Sequence, residues 1–154
     1  MKNILFTLYS ILIFSITAHS ADWSTWGGDA TRNMVSLETD LDLDFNPGEM
    51  NDDETVDMST TQNVKWVAKL GSQAYGNVTI GNGRVFAGTN NESPRDEGKK
   101  GDRGVVMCFD EKSGELDWQL VIPKLGAGKV SDWEYIGVCS SPAIEGDRVY
   151  VVTN

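Results

Sequence analysis

Carboxylates are the reactive side chains that this chain supplies in excess. Glu38, Asp40, Asp42, Asp44, Glu49, Asp52, Asp53, Glu54 and Asp57 stand within twenty residues that hold no basic side chain. Asp42, Asp44 and Asn46 follow the spacing of the first three ligands of an EF-hand loop, so Ca²⁺ is the first chemistry to weigh. Two positions break the pattern: Pro47 stands where the loop turns on Gly, and Asp53 where a bidentate Glu belongs. No amphipathic helix flanks the run on either side. Nine like charges this close repel one another, and the stretch is expected to be a solvated linker.

Nucleophile chemistry is narrowly bounded. The single histidine, His19, lies in an apolar leader, so a Ser-His-Asp or Cys-His site and a His-ligated metal cannot be assembled from the rest of this chain. Two cysteines remain, Cys108 and Cys139, both in apolar strand-like contexts. Either they form a disulfide or they are two buried thiols, and the sequence leaves both arrangements open. Asp132-Trp133-Glu134-Tyr135 offers aromatic faces suited to sugars, or else packs as a loop. Asn77-Val78-Thr79 and Asn91-Glu92-Ser93 are glycosylation sequons in a eukaryotic host only.

The elements that position these groups are short strands. Val105 to Phe109 is an apolar run, Asp110 to Gly114 a polar turn, and Leu116, Trp118 and Leu120 alternate with polar neighbours. Asp110 is placed to bond amides two or three residues on, and Gly114 can adopt the positive φ that such a turn needs. Asn82-Gly83 marks a second hairpin. Strands are expected over 63–69, 75–80, 84–89, 104–109, 115–121, 138–144 and 148–153. Trp23 and Trp26 sit in irregular chain with large apolar faces to bury, so residues 21–34 are expected to dock on a domain built later.

Compartment and charge follow from the first twenty residues. Lys2, the apolar run Ile4 to Ile16 and Ala18-His19-Ser20 read as a secretory signal peptide cleaved before Ala21, and no lipid-attachment cysteine follows. An uncleaved anchor is the alternative, although the run is shorter than the ~20 residues of a span. Residues 21–154 carry 12 basic and 23 acidic side chains, a formal charge of −11. Nucleic acid and anionic membrane surfaces are poor partners for such a chain, and no transmembrane span remains once the signal is removed. The chain, 154 residues and 40% hydrophobic, has room for one domain.

An internal repeat links the strands. Residues 80–90, Ile-Gly-Asn-Gly-Arg-Val-Phe-Ala-Gly-Thr-Asn, align with residues 144–154, Ile-Glu-Gly-Asp-Arg-Val-Tyr-Val-Val-Thr-Asn, at an offset of 64. Trp66 and Trp118 are 52 residues apart, near the ~40–50 of a propeller repeat, and variable loops at 90–103 and 122–137 account for the longer value.

Asp110, Ser113, Gly114 and Trp118 resemble the docking motif A-x-D-x-x-T-G-x-x-x-W of the pyrroloquinoline quinone (PQQ)-like β-propeller repeat family, with Ser for Thr and Cys108 for Ala. Ser141-Pro142-Ala143-Ile144 is similar to the family's inner-strand opening, and Trp23, Trp26 and Gly27 to its W-x-x-W-x-G start. The resemblance implies an all-β fold, a partial β-propeller with one complete four-stranded blade and parts of two others. Residues 1–20 are then the signal, 21–61 an irregular acidic segment, and 62–154 incomplete propeller repeats. It implies that Trp118 fills the gap between its own blade and the next. The inner strand starts Tyr75, Asn77, Cys139 and Ser140 would face an axial ligand or simply fill the channel. Two functions follow: a secreted or periplasmic binding or scaffold module, its partners the remaining blades or another protein, or a quinoprotein oxidising an alcohol or sugar with PQQ and Ca²⁺. No catalytic residue is assigned. The family's adjacent cysteine pair is absent, and its base and calcium ligands would come from later blades.

Overall fold

The computed structural model describes residues 21–39, 41–126 and 133–153; the expected signal segment lies outside them. The described residues are all-β, with one short 3₁₀ turn at Met58–Thr60. Its centre is a four-stranded antiparallel meander, β3 (Thr79–Gly81), β4 (Arg84–Asn90), β5 (Arg103–Asp110) and β6 (Leu116–Pro123), in that spatial order. Two hairpins flank it. β1 (Glu49–Met50) pairs with β2 (Val56–Asp57), and β7 (Ala143–Glu145) pairs with β8 (Arg148–Tyr150). None of these sheets closes into a barrel. No helix among the described residues is long and apolar enough to cross a membrane.

β5 explains the arrangement. Val105, Val106, Met107, Cys108 and Phe109 are all at most 3% exposed, so both faces of this strand are covered. A continuous apolar run, in place of an alternating one, is what such a strand needs. On one face Val85, Val105, Met107 and Phe109 pack with Trp66, Ala68, Leu70, Leu116 and Val121. On the other, Phe86 meets Trp118, ring centroids 6.0 Å apart. Gly88 lies on this second face too, and a Cβ there would come within 2.8 Å of Val138 O. Its bare backbone lets the 138–140 segment close over the sheet.

A bulge reassigns one expected face. Leu116, Trp118 and Leu120 read in sequence as a single alternating set, but the β5–β6 register shifts between Cys108 and Phe109. Leu116 pairs with Phe109 and Trp118 with Cys108, so Asp117 is the extra residue. A shift of one residue flips every later side chain across the sheet. Leu116 therefore joins the Trp66 face, while Trp118 and Leu120 turn toward the β7–β8 side. Asp117 points its carboxylate to Arg84 Nε at 2.8 Å.

The sequence repeat is a structural repeat. Ile80 pairs with Val85 and Gly81 with Arg84; Ile144 pairs with Val149 and Glu145 with Arg148, the same register in both hairpins. Positions one repeat apart also touch. Asn82 Nδ2 donates to Gly146 O at 2.8 Å, and Asn77 N donates to Ser141 Oγ at 2.8 Å. The N-terminal segment then crosses both hairpins: Ile80 N donates to Trp23 O at 3.0 Å and Ile144 N to Ser24 O at 2.8 Å. Consecutive carbonyls thus satisfy the two equivalent isoleucines. Each would otherwise present an open strand edge.

Several expected strands come out shorter or unpaired. Residues 63–69 form no ladder; Trp66, Ala68 and Leu70 reach the core through side chains alone. The inner strand begins at Thr79, not at Tyr75, because Gly76 is pressed against Ser140 O and Asn77 N is taken by Ser141 Oγ. The later pair spans 143–145 and 148–150 where 138–144 and 148–153 were expected. Beyond β8 the Ser140 hydroxyl takes over, accepting from Val152 N at 3.0 Å and donating to Val152 O at 2.8 Å.

The acidic segment is more ordered than a bare linker. Asp42 accepts from Asp44 N, Asn46 from Gly48 N, Asp53 from Thr55 N and Asp57 from Ser59 N, each two residues on. The spacing weighed for Ca²⁺ holds Asx turns at Asp42 and Asn46, whose side-chain oxygens accept from their own backbone. Asp110 does the same, accepting from Lys112 N, Ser113 N and Ser113 Oγ at 2.7–3.0 Å.

The turn at Asp110–Gly114 receives a tryptophan, and that tryptophan is Trp66. Its Nε1 donates to Glu111 O at 3.0 Å, and its ring lies so close to Gly114 (φ +74°) that a Cβ there would stand 2.5 Å from Trp66 Cδ2. Trp118, 40% exposed, lies on the opposite face, beside a gap of about 460 Å³ that Ile144 and Val149 also line. Trp66→Ala should therefore cost about 3 kcal/mol in urea unfolding. Trp118→Ala should cost about 1 kcal/mol, given its exposure. A larger loss at Trp118 than at Trp66 would overturn this division of roles.

Acid dependence follows from the Asx turns. Ser113 amide and hydroxyl bonds hold the Asp110 carboxyl below its ordinary value, and the Thr55 and Ser59 hydroxyls and amides do so for Asp53 and Asp57. For a depressed carboxylate the contribution is complete above the unfolded value near 4 and is lost as pH falls through the lower folded one. Urea midpoints should be flat from about pH 8 to 5 and fall below about 4. Asp110→Asn keeps an acceptor without the charge, so its midpoint should fall less steeply than wild type; identical slopes would exclude Asp110 as a contributor.

Candidate functional site

Residues one repeat apart meet at the start of β3 and the approach to β7, and a cleft of about 650 Å³ opens there. One wall is Tyr75, Gly76 and Asn77 with Cys139 and Ser141. The other is the N-terminal loop, through Trp26, Asp29 and Arg32. That loop is set by its own chemistry. Gly27 and Gly28 take φ of +85° and +88°, Gly28 N donates to Thr25 O, and Thr31 caps Asp29 through both its amide (2.8 Å) and its hydroxyl (2.6 Å). Trp23 closes over Gly28, where a Cβ would stand 2.9 Å from its ring.

The two tryptophans of this segment take different positions. Trp23 is partly buried, whereas Trp26 stays 48% exposed, with the Arg32 guanidinium 5.9 Å from its ring centroid. Tyr75 across the cleft is 60% exposed. Two aromatic faces, one cation, one carboxylate and the Asn77 amide thus share one opening. The Thr31 bonds hold Asp29 below the ordinary carboxylate range, so it is ionised at neutral pH.

Of the four inner-strand positions singled out from the sequence, the structure brings Tyr75, Asn77 and Cys139 to this cleft. Ser140 is not among its lining residues; its hydroxyl clamps Val152. Ser141 takes part instead. Trp26, Asp29 and Arg32 were not foreseen as site residues, although Trp26 and the Gly27-Gly28 pair flagged the segment as one that docks.

Neither cysteine is in a disulfide. Cys108 is buried in β5, while Cys139 is exposed at the cleft. Burial, with the Asp117 carboxylate adding to it, pushes the Cys108 thiol up to about 11. The other flagged groups lie elsewhere. Asp132 is outside the described residues, Trp133 is 75% exposed, and Tyr135 lines a separate cleft of about 1000 Å³ beside Met50, Met58 and Leu70. Asn91 is buried, its amide donating to Lys99 O and Gly101 O, which removes it as a glycosylation acceptor in the folded chain; Asn77 is exposed.

No family model matches this chain, and neither does any curated protein or solved structure. Fold and site together define an all-β chain of antiparallel strands whose repeated hairpins meet at an aromatic, polar cleft.

The thiols give a direct check on the described burial. At pH 8 a small disulfide reagent should label one thiol per folded chain within minutes, at Cys139, and Cys108 only after unfolding. Two fast thiols would contradict the burial of β5, and none would contradict the placement of Cys139.

Proposed function

We propose that this chain is part of a secreted or periplasmic binding or scaffold module of the β-propeller type, with the cleft beside Tyr75 and Trp26 as its binding face. One observation carries the reading: equivalent residues of the two repeats, 77 with 141 and 82 with 146, touch each other along the β3 edge of the meander, which would be the inner edge of a blade. Repeats arranged about a common axis approach most closely there, and ligands of such folds sit at that end. The four-stranded meander is then one blade, β7–β8 the opening of the next, and Trp66 on Gly114 the contact from the blade before. The remaining blades or another protein would cover the β8 edge.

A quinoprotein would need residues that hold Ca²⁺ beside the quinone. Ca²⁺ takes 6–8 oxygen ligands. The cleft supplies one carboxylate, Asp29, already bonded by Thr31, and no group of three His, Cys, Asp or Glu side chains that could hold a metal occurs among the described residues. The donor set among the described residues does not fit PQQ with Ca²⁺.

A thermal-shift screen of the full chain against small molecules, glycans and the quinone with Ca²⁺ tests the reading. A ligand at about 100 times its Kd adds ~2.7 kcal/mol of stability. Wild type should gain a shift that Trp26→Ala and Tyr75→Ala lose. Dye-linked oxidation of an alcohol or sugar on adding the quinone and Ca²⁺ would overturn it, as would a screen in which nothing shifts the protein.

A further inference from the structure

Resting on the binding reading above, we infer that the cleft takes an uncharged oligosaccharide. The polar groups discriminate. Asp29, ionised, only accepts hydrogen bonds; Arg32 only donates; the Asn77 amide does both. A phosphate or sulfate accepts only and would want donors alone, and an amine donates only and would want acceptors alone. A hydroxyl does both, and several hydroxyls on adjacent carbons match a set that holds each kind.

The aromatic residues supply the other half. A pyranose presents flat C–H faces that are apolar while its rim is polar, so it needs flat apolar partners beside the hydrogen-bonding groups. Trp26 and Tyr75 are the large exposed aromatics here, 48% and 60% accessible, and such side chains keep their apolar faces available at low cost in entropy. The Arg32 guanidinium stands 5.9 Å from the Trp26 ring centroid, a cation–π contact within the same cleft. A volume of about 650 Å³ falls inside the usual ~300–1000 Å³ of small-ligand sites and holds more than one sugar ring.

Charge excludes the acidic glycans. Arg32 and Asp29 cancel within the cleft, while residues 21–154 carry a formal −11. An anionic polymer approaching that field is repelled, and a neutral one is not.

Affinity electrophoresis of the full chain through gels containing neutral polysaccharides (mixed-linkage β-glucan, xyloglucan, glucomannan, dextran) or acidic ones (alginate, polygalacturonate) tests this. At least one neutral polymer should retard the protein and neither acidic one should. Trp26→Ala and Tyr75→Ala should each weaken retardation about ten-fold, Trp26→Phe less, and Trp133→Ala not at all. Unchanged thermal melts show that these variants remain folded. Retardation that survives Trp26→Ala and Tyr75→Ala in folded protein overturns the assignment to this cleft. Retardation by acidic polymers alone overturns the neutral class. If no polysaccharide binds while the thermal-shift screen finds a Trp26-dependent ligand, the glycan inference falls and the binding reading stands; if both are blank, both fall.

Discussion

A strand buried on both faces has to be covered twice, and the rest of this structure is arranged to cover β5. One cover is the extended segment carrying Trp66, Ala68 and Leu70; the other is the 138–140 backbone with the β7–β8 hairpin beyond it. Neither cover is a strand paired to the meander. Each is held by side-chain packing plus a few polar contacts at its ends. Trp66 illustrates the economy: its ring covers Phe109 at 6.2 Å between centroids, and its single N–H is satisfied by Glu111 O. A buried indole with an unmet N–H would give back much of what its ring contributes.

Polar residues at the end of β4 do the corresponding work at the sheet's margin. Thr89 and Asn90 are fully buried, yet their groups are used. Thr89 Oγ1 donates to Gln73 O and accepts from Gly71 N; Asn90 Oδ1 accepts from Ser72 N; Asn90 Nδ2 donates to Ser72 Oγ and Tyr135 O. These two side chains therefore join the 71–73 loop and the 133–137 segment to one strand end. The recurrence of Thr-Asn in the repeat has a physical cause in this copy: a strand that ends buried needs side chains able to bond loop backbone.

The candidate site depends on the same logic from the other end of the strands. Short inner strands leave Tyr75 to Asn77 outside the ladder, and the N-terminal segment, pinned by Trp23 O and Ser24 O to Ile80 and Ile144, brings Trp26, Asp29 and Arg32 opposite them. Had β3 begun at Tyr75, these residues would have been committed to strand pairing. The cleft exists because Gly76 and Asn77 are spent on Ser140 and Ser141.

Much of this was legible in the sequence where the signal is local. The Asp110–Gly114 turn, the Asn82-Gly83 hairpin, the continuous apolar run of β5 and the 64-residue repeat each rest on neighbours within a few positions or on plain self-similarity, and the structure contains all four. Tyr75, Asn77 and Cys139 line the cleft from outside the strands in which they were expected. What sequence could not supply is whatever depends on distant chain. The bulge at Asp117 breaks an alternation that looked regular, because Leu116 is drawn to the Trp66 face while Trp118 packs on Phe86. Asp42, Asp44 and Asn46 look like ligands in one dimension, yet Asp42 and Asn46 cap backbone two residues on, and Asp44 takes part through its backbone N and O. By itself, then, the sequence determined an all-β chain, its turns and its repeating hairpin, since period and turn chemistry act over a few residues. Tertiary structure decided which tryptophan meets Gly114 and which residues face Tyr75 across the cleft, because those contacts join segments about fifty residues apart that only packing brings together.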